Sequence, residues 1–245
     1  VVQINHAGRQ TFSKVTGAPI VGPSAVPVSP VMETPHELSV GEIEDLVNVF
    51  TKAAERVKKT GADGVEIHMA HGYLLNQFLS PVVNQREDEF GGSFDNRMKV
   101  PLKTLRAVRK VVGNEFPISC RISGDEYLDG GLGLSDTQKV AQALEKNGAD
   151  VIHVSACMSS SPFPMIPHYY VKEGTFVHLA AGIKSVVDIP VICVGRIRNP
   201  KMAEEIVASG KADLVSMGRA LIADPHMPNK AKEGQFEEIV PCMSF

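Results

Sequence analysis

The 245-residue chain has no excess of charge, no long apolar run and little cysteine, and each shortage removes a class of function. A formal net charge of −3 gives no electrostatic footing for nucleic acid or an anionic membrane as partner. No apolar run approaches the ~18 residues that a membrane helix requires. The start, Val1-Val2-Gln3-Ile4-Asn5, has neither the charged head nor the apolar core of a signal peptide and reads as a strand entered in mid-course. The four cysteines, Cys120, Cys157, Cys193 and Cys242, are scattered without a Cys-x-x-Cys pair. Cys120 and Cys193 lie in strand-like apolar runs, where a small buried thiol is the ordinary reading. A disulfide framework is not expected in a chain with this much core, which points to a reducing cytoplasm. No strand is followed by Gly-x-Gly-x-x-Gly, so the dinucleotide-binding doubly wound sheet has no support.

What is present is alternation. Short β-branched runs return at Gly64–Met69, Pro117–Ile122, Val151–Ser155, Pro190–Val194 and Leu214–Met217, read as near-uniformly apolar strands buried on both faces. Helical periods lie between them. In the clearest, Ser39 to Lys59, the residues Ile43, Leu46, Val47, Phe50, Ala54 and Val57 form one stripe. A capping box of Ser39 and Glu42 opens this helix and Gly61 closes it. Gly61-Ala62-Asp63, Gly148-Ala149-Asp150 and Lys211-Ala212-Asp213 each end a helix just before a strand, one turn used three times. Repeated strand–helix–strand units mean a parallel α/β architecture. With Val1–Asn5 counted there are six strands; an open sheet could use six, but a β/α barrel is favoured, short of a closed (β/α)8 barrel by about two units.

Barrel chemistry sits at the C-terminal ends of the strands, and polar groups gather there: Gln3, then His68, His71 and Tyr73, then Arg121, then Gly195-Arg196 and Gly218-Arg219. Two imidazoles could donate to one carbonyl oxygen as charge develops on it, and the Tyr73 phenol could supply a proton. A zinc site or a purely structural histidine pair competes with that reading; no third ligand has suggestive spacing, and no metal is assigned. The two Gly-Arg pairs suit a phosphate, glycine admitting backbone N–H groups and arginine adding a charged fork; surface ion pairs are the alternative. Arg121, inside Ile-Ser-Cys-Arg-Ile-Ser, needs a counter-group: an anionic ligand ring, or more plainly Asp125 or Glu126.

Together these segments resemble the old yellow enzyme family, the FMN-dependent NADH:flavin oxidoreductases. The matching motifs are Gln3-Ile4-Asn5-His6-Ala7-Gly8-Arg9, His68-x-x-His71-Gly72-Tyr73-Leu74-Leu75, Phe78-Leu79-Ser80-Pro81, Asn84-Gln85-Arg86 through Asn96-Arg97, Arg121-Ile122-Ser123, Val194-Gly195-Arg196 and Met217-Gly218-Arg219, in family order. The resemblance implies an FMN-binding TIM barrel over residues 1–235 in which Gln3 and Arg121 contact the flavin ring and Gly195, Arg196, Gly218 and Arg219 hold its phosphate. It further implies that His68 and His71 bind the substrate's activating oxygen and that Tyr73 protonates one alkene carbon. Asn84–Arg97 is expected to be a structural loop and helix start.

Met32-Glu33-Thr34-Pro35-His36-Glu37-Leu38 and Phe236-Glu237-Glu238-Ile239-Val240-Pro241-Cys242 look most like the 2-enoate reductase, 2,4-dienoyl-CoA reductase and trimethylamine dehydrogenase branch. There a cysteine at the place of Cys242 begins a 4Fe–4S motif followed by FAD and NAD(P)H domains. Here Phe245 stands where a second cysteine is expected, and one cysteine cannot hold a cluster; residues 236–245 read as the start of a linker towards such a region. The family barrel begins about two strands earlier, so the chain is expected to be a piece of a longer protein. The expected activity is reduction of C=C bonds conjugated to a carbonyl, carboxyl or thioester group, with NAD(P)H as electron donor. The expected partner is a small unsaturated substrate, with a homo-oligomer left open. The loop after Val151–Ser155 offers Phe163 and Met165 as substrate contacts, or equally as cover for the barrel mouth. Rival readings are a flavin-dependent amine dehydrogenase and an inactive barrel that binds a partner.

Overall fold

The computed structural model describes residues 1–244. In chain order the elements are β1 (Val2–Ile4), α1 (Ser13–Thr16), β2 (Val21–Gly22), β3 (His36–Glu37), α2 (Val40–Lys59), β4 (Val65–Met69), α3 (Leu74–Leu79) and α4 (Phe94–Val112). There follow β5 (Ile118–Ser123), α5 (Leu134–Lys146), β6 (Val151–Ser155), α6 (Val177–Lys184), β7 (Val191–Cys193), α7 (Pro200–Ala208), β8 (Leu214–Val215), α8 (Arg219–Ala223), α9 (Met227–Lys232) and a 3₁₀ turn at Phe236–Glu238.

The main sheet is parallel throughout and runs β1-β4-β5-β6-β7-β8. A doubly wound sheet reverses its strand order at a switch point; here the order never reverses. Right-handed crossovers then put the helices that connect successive strands on the same face, and the sheet curls into a barrel wall. These are six successive strands of a β/α barrel. β1 and β8 are its edges, with Val2 43% and Leu214 50% exposed. The short parallel pair β2–β3 lies in the long connection after β1 and has no counterpart among the strands expected from sequence.

Local physics explains the elements. The amide of Ser39 donates to the Glu42 carboxylate at 2.7 Å, and the Glu42 amide donates back to Ser39 Oγ at 3.3 Å, closing the capping box at the start of α2. All six stripe residues of that helix are buried. The recurrent helix-to-strand turn has a purpose that its sequence did not disclose. Asp150 accepts the Ile118 amide at 2.7 Å and Asp213 accepts that of Val191 at 2.9 Å, each satisfying the first N–H of the preceding neighbour strand. Each carboxylate also binds a helix cation, Arg109 or Lys184.

The stretch 84–97 is structural, as expected. Asn84 donates to the carbonyls of Phe78 and Phe90, Arg86 to those of Pro23 and Leu38, and Ser93 caps α4. Gly91 is required there, because a Cβ would lie 2.1 Å from the Arg86 carbonyl oxygen.

One expectation needs correction. The runs taken as near-uniformly apolar are buried, but β4 reads Val65-Glu66-Ile67-His68-Met69 and β5 Ile118-Ser119-Cys120-Arg121-Ile122-Ser123. Val65, Ile67, Met69, Ile118, Cys120 and Ile122 join the main hydrophobic core. The alternate set, Glu66, His68, Ser119, Arg121 and Ser123, carries polar groups that meet across the strands. This barrel has an apolar outer layer and a polar interior.

Candidate active site

A cavity of about 370 Å³ opens at the C-terminal ends of the strands, within the range of small-molecule sites. Seven of the nine residues singled out from sequence line it: His71, Tyr73, Arg121, Gly195, Arg196, Gly218 and Arg219. Of the other two, His68 sits directly behind, its ring centroid 4.9 Å from that of His71 and 5.2 Å from that of Tyr73. Gln3 stands apart on the edge strand, where its amide donates to Glu66 at 2.6 Å. Met165 joins the cavity wall, whereas Phe163 stacks on Tyr127 at 4.9 Å and packs against Phe176 instead.

The imidazoles form a relay rather than two free donors. His71 Nδ1 lies 3.2 Å from His68 Nε2, and His71 Nε2 lies 2.7 Å from Ser155 Oγ. His68 Nδ1 is buried and has no partner. The His71 backbone, at φ 63°, is held in the left-handed region by its amide donating to Ser123 Oγ at 2.9 Å. Burial, reinforced by the nearby Arg121 charge, pulls His68 down to about 4 and His71 down to about 2. Both rings are therefore neutral at physiological pH, able to donate one N–H each without carrying charge. Ser123 and Ser155 were not foreseen, although each ends a strand on the polar face.

Arg121 does not pair with Asp125 or Glu126, as the plainer expectation had it. Asp125 accepts the Tyr127 amide, and Glu126 is saturated by Asn76, Ser80 and the Leu132 amide at 2.8–2.9 Å. The acid that acts on Arg121 is Glu66. Burial alone would push the Glu66 carboxyl up, but donors from His153, Gln3 and Ser119 outweigh it and hold the group at about 2. The Arg121 Nε is buried without a partner and faces this cavity wall.

The far strand ends carry three arginines. Arg196 donates to the Val171 carbonyl, Arg219 to that of Pro167 at 2.6 Å, and Arg198, missed in the sequence, to Glu173 at 2.7 Å. Arg196 Nε, Arg198 Nε and Arg219 Nη1 remain buried without partners. Arg196 itself has φ 52°, and beside it Gly195 has φ 133°, with no room for a Cβ, which would fall 2.7 Å from the Phe176 ring. Buried cationic donors left unpaired on a cavity wall are the donor set a phosphate requires, and Arg121 suits an electron-rich ring beside it. Cys242 and Ser244 also reach this wall. Among the described residues no three His, Cys, Asp or Glu side chains converge on a metal position, and no helix is long and apolar enough to cross a membrane.

A largely apolar cavity carrying a few convergent polar groups, at the C-terminal mouth of a parallel barrel, is where barrel enzymes work. The chain belongs to the NADH:flavin oxidoreductase / NADH oxidase family, the old yellow enzymes, whose model matches residues 1–238. It is 48% identical over 244 residues to an NADH oxidase of Thermoanaerobacter brockii, covering 99% of this chain and 38% of that protein. Among solved structures it is similar to a 2-naphthoyl-CoA reductase in complex with 2-naphthoyl-CoA, with a TM-score of 0.94 and 31% identity, covering 99% of this chain and 39% of that one. Histamine dehydrogenase from Rhizobium sp. 4-9 follows at a TM-score of 0.86 and 29% identity, covering 99% and 35%. The chain thus spans about two fifths of the length of these relatives.

Proposed function

We propose that residues 1–235 are the FMN-binding barrel of an ene-reductase that reduces C=C bonds conjugated to a carbonyl, carboxyl or thioester group with electrons from NAD(P)H. The observation that carries this reading is the single cavity on which Tyr73, His71 and Arg121 meet the two Gly-Arg pairs. Arg196 and Arg219, with Gly195 and Gly218, would hold the FMN phosphate; Arg121 would face the ring, and Gln3 would reach it from the edge strand. When bound, FMN supplies the hydride that attacks one alkene carbon. His68 and His71, both neutral, would turn N–H groups now engaged with each other and with Ser155 towards the activating oxygen and stabilise the charge that develops there. Tyr73 delivers the proton to the other alkene carbon. A 4Fe–4S cluster and FAD could be held only in a longer protein, since Cys242 alone cannot ligate a cluster.

Likeness to histamine dehydrogenase favours a second reading, oxidation of an amine by the same flavin barrel. The test is a spectroscopic FMN titration of this chain and of the full-length parent. Reoxidation of NAD(P)H-reduced FMN by an α,β-unsaturated carbonyl compound supports the ene-reductase; reduction of the bound flavin by an amine supports the rival. Absence of FMN binding in both proteins overturns the two together.

A further inference from the structure

One buried carboxylate of the barrel interior, Glu66, has no part in the proposed reaction. Three strands each send one donor to the Glu66 carboxylate: Gln3 Nε2 at 2.6 Å, Ser119 Oγ at 2.8 Å and His153 Nδ1 at 2.9 Å. The register explains the convergence. Gln3 and Ser119 both lie opposite Glu66 on its two neighbours, while His153 lies opposite Arg121, two residues beyond Ser119. Glu66 and His153 are 8% and 7% exposed. A carboxylate this buried is costly unless it answers a cation. Arg121 stands one layer above, in register with His68, with no carboxylate bonded to it and its Nε unpartnered.

We propose that Glu66 is a positioning residue of the active site: as the buried counter-charge to Arg121 it sets how strongly the ring position favours a negatively charged ligand. The proposal rests on the flavin reading for the identity of that ligand, but not for the pairing of charges. Ionised, Glu66 offsets the charge of Arg121, alongside its bond to His153. Replacing it by glutamine keeps the shape and most hydrogen bonds and leaves the ring position one unit more positive. Reduced flavin carries more electron density than oxidised flavin, so the neutral variant should bind the reduced form preferentially. A loosened structure alone would weaken both forms and would not have that sign.

The test has two arms on the same proteins. In the ligand-free chain, thermal unfolding of Glu66→Gln, Arg121→Gln and the double variant forms a cycle. Each single variant should lose several degrees by leaving one buried charge unanswered, and the double variant should regain part of that loss. Additive losses overturn the pairing. Should Glu66→Gln alone not fold, recovery of folding in the double variant supports the pairing and its failure overturns it. In the FMN-loaded protein, the midpoint potential of Glu66→Gln should rise by the equivalent of about a tenfold preference for the reduced form, about 30 mV for a two-electron couple. An unchanged or lowered potential overturns the effect on the ring. If the parent protein binds no FMN, the flavin reading fails, and the unfolding cycle still decides whether Glu66 answers Arg121.

Discussion

The Nδ1 of His71 lies 3.2 Å from the Nε2 of His68, so one of these two nitrogens carries a proton and the other does not. A proton added to either ring would set a cation beside its neighbour and beside Arg121, and burial opposes it further. Both groups bind protons near pH 6.5 when unfolded and only near 4 and 2 when folded. The unfolded chain thus holds more protons throughout that interval, and stability falls as pH falls below 6.5. Between pH 6.5 and 5.5 the loss should be about 1 kcal/mol per ring. His68→Asn/His71→Asn should remove the contribution of these two rings to that part of a urea-denaturation profile; His6, also pulled down by burial, still adds in the same direction, and Glu126, pushed up by burial, in the opposite one. Glu66 acts in a lower window, its stabilisation present above about pH 4.5 and lost as pH falls towards 2. An unchanged slope in the double variant would refute the neutral pair.

Tyr73 packs on the His68 ring, and its backbone opens α3 on the cavity wall. Tyr73→Phe removes the hydroxyl and little else. In stopped-flow experiments on the FMN-loaded protein, reduction by NAD(P)H should proceed as in the parent. Reoxidation by an enone should slow by roughly 10²–10⁴-fold, the usual worth of a positioned general acid. Equal slowing of both half-reactions would remove Tyr73 from the proton-donor role.

Two adjacent glycines should respond differently to alanine. At Gly91 the new Cβ would meet a backbone oxygen 2.1 Å away, which no side-chain rotation relieves. At Gly92, with φ 73°, nothing lies within 4 Å, and the cost is the left-handed backbone alone. Gly92→Ala should lose about 1 kcal/mol. Gly91→Ala should lose several times more or fail to fold, because Asn84 and Arg86 are anchored across the same loop. Equal unfolding midpoints would contradict this account of the 84–97 segment.

Asp150 joins three elements, accepting from the Ile118 amide at the start of β5 and from Arg109 on α4 while it leads into β6. Asp150→Ala orphans the Ile118 amide and takes the carboxylate from a guanidinium that the Gly113, Phe116 and Gly148 carbonyls still hold, and should cost about 1–3 kcal/mol in chemical denaturation. Hydrogen exchange at Ile118 should accelerate more than exchange at the centre of β5. Uniform acceleration along the strand would mean that the turn is not a local clamp.

Local order was legible in the sequence. The stripe of α2, its capping box, the three Ala-Asp turns and the order of strands and motifs follow from side-chain periodicity and short-range hydrogen bonding. So did most of the cavity wall, because a parallel barrel delivers the C-terminal end of every strand to one mouth. The alternation of Glu66, His68, Ser119 and Arg121 was also present in the residues, but it was masked by the apolar neighbours that make these strands read as core.

Only the tertiary structure decided which groups answer one another. Glu66 takes its donors from residues 63, 53 and 87 positions away, and Arg121 lies near Glu66 rather than the Asp125 and Glu126 that follow it closely in the chain. Sequence spacing governs which face of a strand a side chain occupies. Register between parallel strands, joined by long helical crossovers, governs its neighbours across the barrel, and that register is set by the packing of the whole sheet and its helices.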